Sequence, residues 1–439
     1  ALVFLAMFLM MGVVTALYQN QQDPQPRERD YFYEAAFYVF SLWIALGIVG
    51  IIEMIADASK KEIGMGVAGV VMAVSFIFVP VNMLRVNYHY QNRAGNYYPY
   101  DYAYNILQSC EKDAILITNG DNDTFPLWCL QAVYGVRQDI RIINLSLAQM
   151  DWYCLQLKNE KPYGSLTVPM SYTDAQLSSM DFLRPREWDE RKLQTIDVPL
   201  EAYPDTMKTK PERIVFTMPA TIRQKSGNRT ITGIKFTDLM MLDILKASKW
   251  KRPFYFAATV SPDNFIGLGD YLLLHGMAYK VMPYKVNDGT EIAVNDEVTR
   301  KCLMEPPSQP SKTPQYGFMF RGLNDDKLFY DQTQQRMLEM YRTIYIWLAN
   351  TYSADTTRTR DAREVLKRME TNISSGIVKM DYRQQYQIAM IYHQAGDRRK
   401  FEEYAKGAEE GALLDKKSRN VNMQGYYNPY RILLDIYEA

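Results

Sequence analysis

Three long apolar stretches open the chain. Residues 1–18 carry no charge, residues 35–52 lie between Glu34 and Glu53, and residues 63–84 lie between Glu62 and Arg85. A helix needs about 20 apolar residues to cross a hydrocarbon core, and charge-free runs of this length are rare in water-soluble domains. The pattern predicts three membrane spans within 1–85, with Pro80 late in the third as a candidate kink. The first stretch has no initiator Met, basic leader or cleavage pattern. It therefore reads as the interior of a membrane helix, and 1–85 as the C-terminal spans of a larger bundle. Lys60 and Lys61 assign the turn between spans two and three to the cytoplasmic side. Arg27 and Arg29 in the preceding loop pull against that assignment.

Beyond residue 85 the apolar period shortens and alternates. Helices are expected at 100–110, 125–134, 150–157, 237–248 and 268–275. Strands are expected at 114–118, 140–145, 213–217, 229–236, 253–259 and 277–283. Strand–helix–strand spacing of this kind implies a soluble α/β domain over 86–305 with an open, mainly parallel sheet. Residues 165–210, rich in Pro, Asp and Ser, read as an insertion or long loop, and 226–228 as a turn. A linker rich in Pro and Ser opens the 306–330 segment. Four helices are then expected over 331–439, at 331–352, 358–371, 382–394 and 399–407. The small and aromatic residues of 388–408 are spaced like a tetratricopeptide helix pair, so 331–439 reads as a helical, repeat-like domain suited to binding another protein.

Charge narrows the functional classes. Fifty basic and fifty acidic residues balance, which gives nucleic acid no support as a partner. Four cysteines are widely spaced without C-x-x-C, and three histidines are scattered. Neither a zinc-protease nor a nucleophile-elbow motif occurs, and no glycine-rich phosphate loop follows the first strand. No cofactor and no metal are therefore expected.

Four constellations remain. Asn119–Gly120–Asp121–Asn122–Asp123–Thr124 follows the first strand, at the carboxyl edge where open α/β sheets bind ligands. Asp121, Asn122, Asp123 and Thr124 are candidates for a ligand or partner contact, joined by Asn144 and Ser146 at the end of the second strand. The same residues suit a turn and a helix cap, with Pro126 in the first helical turn. The Asp121/Asp123 spacing also suits a hard cation. In the loop just outside the membrane, Arg27 and Arg29 can present forked donors to a phosphate at headgroup level, or serve as an interfacial anchor paired with Glu28 and Asp30. Tyr88, Tyr90, Tyr97, Tyr98, Tyr100, Tyr102 and Tyr104 suit either an interfacial belt or sugar stacking. Residues 249–256 read as a structural helix end and core strand.

Q-P-R-E-R-D-Y (25–31), G-D-N-D-T-F-P-L-W (120–128), R-I-I-N-L-S-L (141–147) and K-R-P-F-Y-F-A (251–257) together resemble domain-of-unknown-function family 2723, the protein O-mannosyltransferase-like bacterial membrane proteins. The resemblance runs from residue 1 to about 290. It implies a GT-C glycosyltransferase that moves a sugar from a polyprenyl-phosphate donor to Ser or Thr of exported proteins. It also implies the inner membrane of a Bacteroidetes-type envelope, with the soluble domains in the periplasm. Such enzymes carry their general base in the first external loop near the N-terminus, a region this chain is expected to lack, so no catalytic residue is carried over. Asp30 makes a poor base beside two arginines, which favour its charged form. Two other readings compete: a non-catalytic envelope scaffold docking a partner through its helical region, and a nucleotide-sugar transferase using Asp121 and Asp123 on a metal.

Overall fold

The computed structural model describes residues 2–20, 29–59, 64–179, 181–204, 213–226, 229–287, 292–416 and 427–439. They form two compact units, Ala1–Ala94 and Gly95–Ala439.

The first unit holds three helices long and apolar enough to cross a bilayer, Leu2–Gln19, Asp30–Ser59 and Met65–Gln91. The second and third outrun their charge-free stretches because polar residues continue the helix beyond the apolar run. In Glu34–Ser59 only Ala36 and Val39 are buried against protein, so the remaining apolar side chains are left for lipid. Close approach of the first two helices depends on a glycine: a Cβ on Gly12 would stand 3.3 Å from that of Ala36. The Phe8 ring sits 5.6 Å from Trp43 beside this crossing. Pro80 falls in a five-residue π-helical stretch, Ile77–Val81, a local widening that tolerates the missing N–H donor. Lys60 and Lys61, which orient the spans, lie outside the described residues.

The second unit begins with α1 (Tyr98–Gln108), β1 (Ile115–Thr118), α2 (Asp121–Tyr134), β2 (Arg141–Asn144) and α3 (Asp151–Asn159). Strands β3 (Arg186–Glu187), β4 (Leu193–Asp197), β5 (Arg213–Thr217), β6 (Ile222–Ser226) and β7 (Arg229–Ile234) follow. Then come α4 (Phe236–Ser248), β8 (Phe254–Ala257), β9 (Leu272–His275), β10 (Ala278–Val281), β11 (Ala293–Val294) and α5 (Asp296–Met304). The main sheet has the order β11-β9-β10-β8-β1-β2. Strand β1 lies between β8 and the edge strand β2, parallel to both. Every residue of these three strands is buried, as expected for strands covered on both faces.

Three expectations need correction. The sheet is mixed rather than mainly parallel, since β10 runs antiparallel to β8 and β9. Residues 268–275 are not a helix: a 3-10 turn, Gly269–Tyr271, leads into β9. A short apolar run does not separate a buried strand from a buried helix, and Gly276, at φ +56°, supplies the turn into β10. The stretch 165–210 is not simply a loop, because β3 pairs with β7 and β4 with β5. The β6–β7 hairpin pairs Ser226 with Arg229; Gly227 and Asn228 of the expected turn lie outside the described residues.

Residues 306–330 run along α1. Asn105 donates from Nδ2 to the Met319 carbonyl and accepts the Met319 N–H, both at 2.8 Å. One turn on, Gln108 accepts the Gln315 N–H at 2.9 Å and donates to the Thr313 carbonyl at 3.1 Å. One turn back, Asp101 accepts the Arg321 N–H at 2.8 Å and pairs with its guanidinium. Positions 101, 105 and 108 share one helix face, so three polar side chains satisfy the backbone of a segment with no strand partner. The chain continues as α6 (Gln332–Ser353), α7 (Thr359–Asn372), α8 (Tyr382–Gln394), α9 (Arg398–Lys416) and α10 (Pro429–Glu438). Asp331, Asp381 and Asn428 cap α6, α8 and α10. Helices α8 and α9 pack closely: a Cβ on Gly411 would stand 2.3 Å from that of Tyr382. Helical hairpins of this kind occur in many folds, so this one carries no repeat family with it.

Candidate site at the carboxyl edge of the sheet

After β1 the chain turns through Asn119 and Gly120 into α2. Gly120 sits at the cap position and has no side chain to offer the helix. Asp123, 4% exposed, supplies the missing acceptor from inside the first turn. Its Oδ1 accepts the Gly120 N–H and its Oδ2 the Asn119 N–H, each at 2.9 Å. The Thr259 hydroxyl, from the loop after β8, donates to the same Oδ2 at 2.6 Å. A carboxylate here also meets the positive end of the helix dipole. Because α2 starts at Asp121, Pro126 falls in its second turn rather than the first and leaves the Asn122 carbonyl without its helical N–H donor.

Thr124 and Asn144 fasten the two strand ends. The hydroxyls of Thr118 and Thr124 lie 2.7 Å apart, and Asn144 Nδ2 donates to Thr124 Oγ1 at 2.9 Å. Asn144 Oδ1 accepts the N–H groups of Ser146 and Leu147 at 2.8 and 3.0 Å. Both side chains are fully buried. Ser146 is exposed, its hydroxyl donating to the Asn119 carbonyl at 3.2 Å.

The sequence candidates therefore divide. Asp123, Thr124 and Asn144 hold the edge together, whereas Asp121, Asn122 and Ser146 face solvent. Asp121 and Asn122 have no side-chain hydrogen bond among the described residues. The Asp121/Asp123 pair does not present two free carboxylates, because both oxygens of Asp123 are engaged. Among the described residues no group of three or more His, Cys, Asp or Glu could hold a metal. Beside these polar groups runs a ladder of rings. Phe125 stacks on Trp128 at 5.5 Å, Trp128 lies 6.3 Å from Tyr153, and Trp152 meets Tyr153 edge-on at 5.5 Å. Phe125 and Trp152 are 48% and 54% exposed.

In the first unit, Arg29 is exposed and precedes the 3-10 turn Asp30–Tyr33, its carbonyl accepting the Phe32 N–H at 3.1 Å. Arg27 lies outside the described residues. The K-R-P-F-Y-F-A stretch is structural. Arg252 donates to the carbonyls of Asp113 and Thr167 at 2.7 and 2.8 Å, and burial pulls its pKa down to about 10.

His275 is a buried group the sequence did not single out. Its ring lies between Tyr255 OH, 3.3 Å from Nδ1, and Asn295 Nδ2, 3.2 Å from Nε2. Burial, with a smaller contribution from Lys280, pulls its pKa down to about 3. The unfolded chain thus binds a proton at His275 that the folded chain refuses. Stability present above the ordinary histidine pKa is lost as pH falls from there toward the folded value. Acidification to about pH 5 is expected to cost roughly 2 kcal/mol from this residue. Thermal melts of the wild type and His275→Gln at about pH 7 and 5 check this, with the larger pH-dependent drop expected in the wild type.

Residues 99–183 and 195–299, from α1 into α5, match the family described as TMEM260-associated domain 2. Three of the four resembling stretches, 120–128, 141–147 and 251–257, fall inside that match, while 25–31 falls outside it. An 82-residue segment is 27% identical to the protein O-mannosyl-transferase tmem260 of Dictyostelium discoideum, covering 19% of this chain and 10% of that protein. The chain thus matches about a tenth of that relative's length. No solved structure matches the chain. A chain with three membrane-length helices is therefore similar, in the region that builds this edge, to the TMEM260-associated domain, and weakly to a protein O-mannosyl-transferase.

Proposed function

We propose that this chain works in an O-mannosyltransferase-like membrane protein of GT-C type. It would move a sugar from a polyprenyl-phosphate donor to Ser or Thr of exported proteins, on the periplasmic side of an inner membrane. The observation that carries this reading is the similarity of an 82-residue segment to an O-mannosyl-transferase, on a chain that also holds three membrane-length helices. The relationship to domain-of-unknown-function family 2723 belongs to the same proposal. In the reaction the acceptor hydroxyl oxygen bonds to the sugar C1 as the C1–O bond to phosphate breaks. A base takes the hydroxyl proton, and the polyprenyl phosphate leaves with the bonding electron pair. Arg29, with Arg27, is suited to that phosphate because a guanidinium binds phosphate oxygens bidentately. Asp121, Asn122 and Ser146 are the polar groups left for an acceptor or its glycan. The double substitution Arg27→Ala, Arg29→Ala is expected to lower transfer roughly tenfold or more while leaving the fold intact. Unchanged transfer by that variant removes the donor-phosphate role.

One observation favours a scaffold instead. Leu414 at the end of α9 and Leu434 on α10 are more than half exposed, which suits docking of another protein. On that reading Leu434→Asp releases a co-purifying protein while glycosylation stays normal. Loss of glycosylation in Leu434→Asp counts against it.

A further inference from the structure

Helix α2 exposes an apolar face, while its buried face sets Leu127 and Leu130 among Asp123, Thr124 and Gln131. Leu127 and Leu130 point into the core. Phe125, Cys129 and Val133, spaced four residues apart, point outward with Ala132 and Tyr134. No charged residue occurs from Phe125 to Tyr134. Val133 is 71% exposed and Tyr134 49%. A contiguous exposed apolar face marks an interaction surface, and a 14-residue helix such as α2 is about 20 Å long. The exposed Met150 and Trp152 beside it extend the patch through the ring ladder from Phe125 to Trp152.

We propose that this face, Phe125–Cys129–Val133 with Tyr134 and Trp152, lies in the headgroup region of a lipid bilayer. Two observations select lipid as the occupant. The first is continuity with a membrane helix. The third span ends at Gln91 and α1 starts at Tyr98, leaving six residues, 92–97. Six residues reach about 20 Å at full extension, so the start of α1 is tethered near the bilayer surface. Tyr97 is exposed just before α1, and Tyr100 of α1 meets Tyr134 of α2 edge-on at 5.1 Å. The second observation is composition. Phe, Trp, Tyr, Val and Met without Lys or Glu are what an interfacial surface uses, with rings at headgroup depth. This inference stands apart from sugar transfer and requires only that the spans are in a membrane.

Cys129 provides the test. It is the exposed member of four free cysteines, the others being buried, so a thiol-directed nitroxide on the full chain reports this face. The labelled chain is placed in phosphatidylcholine vesicles, and its relaxation is measured against dissolved oxygen and against a water-soluble nickel chelate. The comparison site is Arg398→Cys in a Cys129→Ser background, since the Arg398 side chain is 90% exposed. The proposal expects the oxygen-to-nickel accessibility ratio at Cys129 to exceed that at position 398 severalfold. Val133→Cys in the same background should repeat the result should labelling at 129 disturb packing. Equal ratios at 129, 133 and 398 overturn the proposal. Shielding of 129 and 133 from both reagents also overturns it and assigns the face to a protein partner, such as a second copy.

Discussion

Replacing Arg137 by Ala is expected to destabilise the Gly95–Ala439 unit by about 3–5 kcal/mol, the range for removing one partner of a buried ion pair. Arg137 is fully buried and uses all five of its N–H groups. Nε and Nη2 form a fork on the Asp139 carboxylate, both at 2.9 Å. Nη1 donates to the carbonyls of Leu107 and Cys110 at 2.7 and 2.8 Å, and Nη2 to that of Glu111 at 2.8 Å. One side chain thus bonds the Leu107 carbonyl in the last turn of α1 and the Cys110 and Glu111 carbonyls just beyond it, where the helix itself offers no donors. It also fixes the turn that leads into β2. Burial is the largest single influence on the Asp139 carboxylate and raises its pKa, but the hydrogen bonds and charge of Arg137, with backbone N–H donors, together hold it below the usual range. Without the guanidinium, that carboxylate and three carbonyls remain to be solvated. Urea unfolding of the protein in detergent, followed by circular dichroism, measures the loss. A cost below about 1 kcal/mol contradicts this role.

Asp123→Ala is expected to cost about 3 kcal/mol, and Asp121→Ala to stay within about 0.5 kcal/mol of the wild type. The first leaves the N–H groups of Asn119 and Gly120 and the Thr259 hydroxyl without their acceptor. The second removes an exposed carboxylate with no hydrogen-bond partner among the described residues. The contrast matters because the two aspartates look alike in the sequence. If ligand binding at this edge is direct, Asp121→Ala lowers binding or transfer at unchanged stability. Equal stability losses in the two variants would contradict the division of the edge into a fastening half and a free half.

The features legible in the sequence are those carried by long or local signals. A charge-free run of membrane length has few alternatives, so the three spans were plain, and β1, α2 and β2 followed from apolar runs broken by Gly and Asn. What escaped depends on partners far along the chain. Asn105 and Met319, which hold the 306–330 segment against α1, are 214 residues apart, and no local pattern announces that pairing. The apolar run before Gly276 could not be told from a helix until β10 and β11 were in place on either side of β9. At the candidate edge the residues named from the sequence lie close together, but their division was not legible. Asp123 is a helix-capping carboxylate because Gly120 leaves the cap position empty and Thr259 arrives from β8. That arrangement exists only after the sheet has formed. Arg137 was passed over because a charge in a turn is usually solvated; its burial is visible only once the end of α1 meets the start of β2.

The most direct test of the sugar-transfer account is made in the native cell. The gene encoding this chain is deleted, and Ser- and Thr-linked hexose on exported proteins is mapped by mass spectrometry. The account predicts that a defined set of hexosylated sites disappears and returns on complementation with the wild type, but not with the Arg27→Ala, Arg29→Ala variant. An unchanged glycan map in the deletion strain would contradict it.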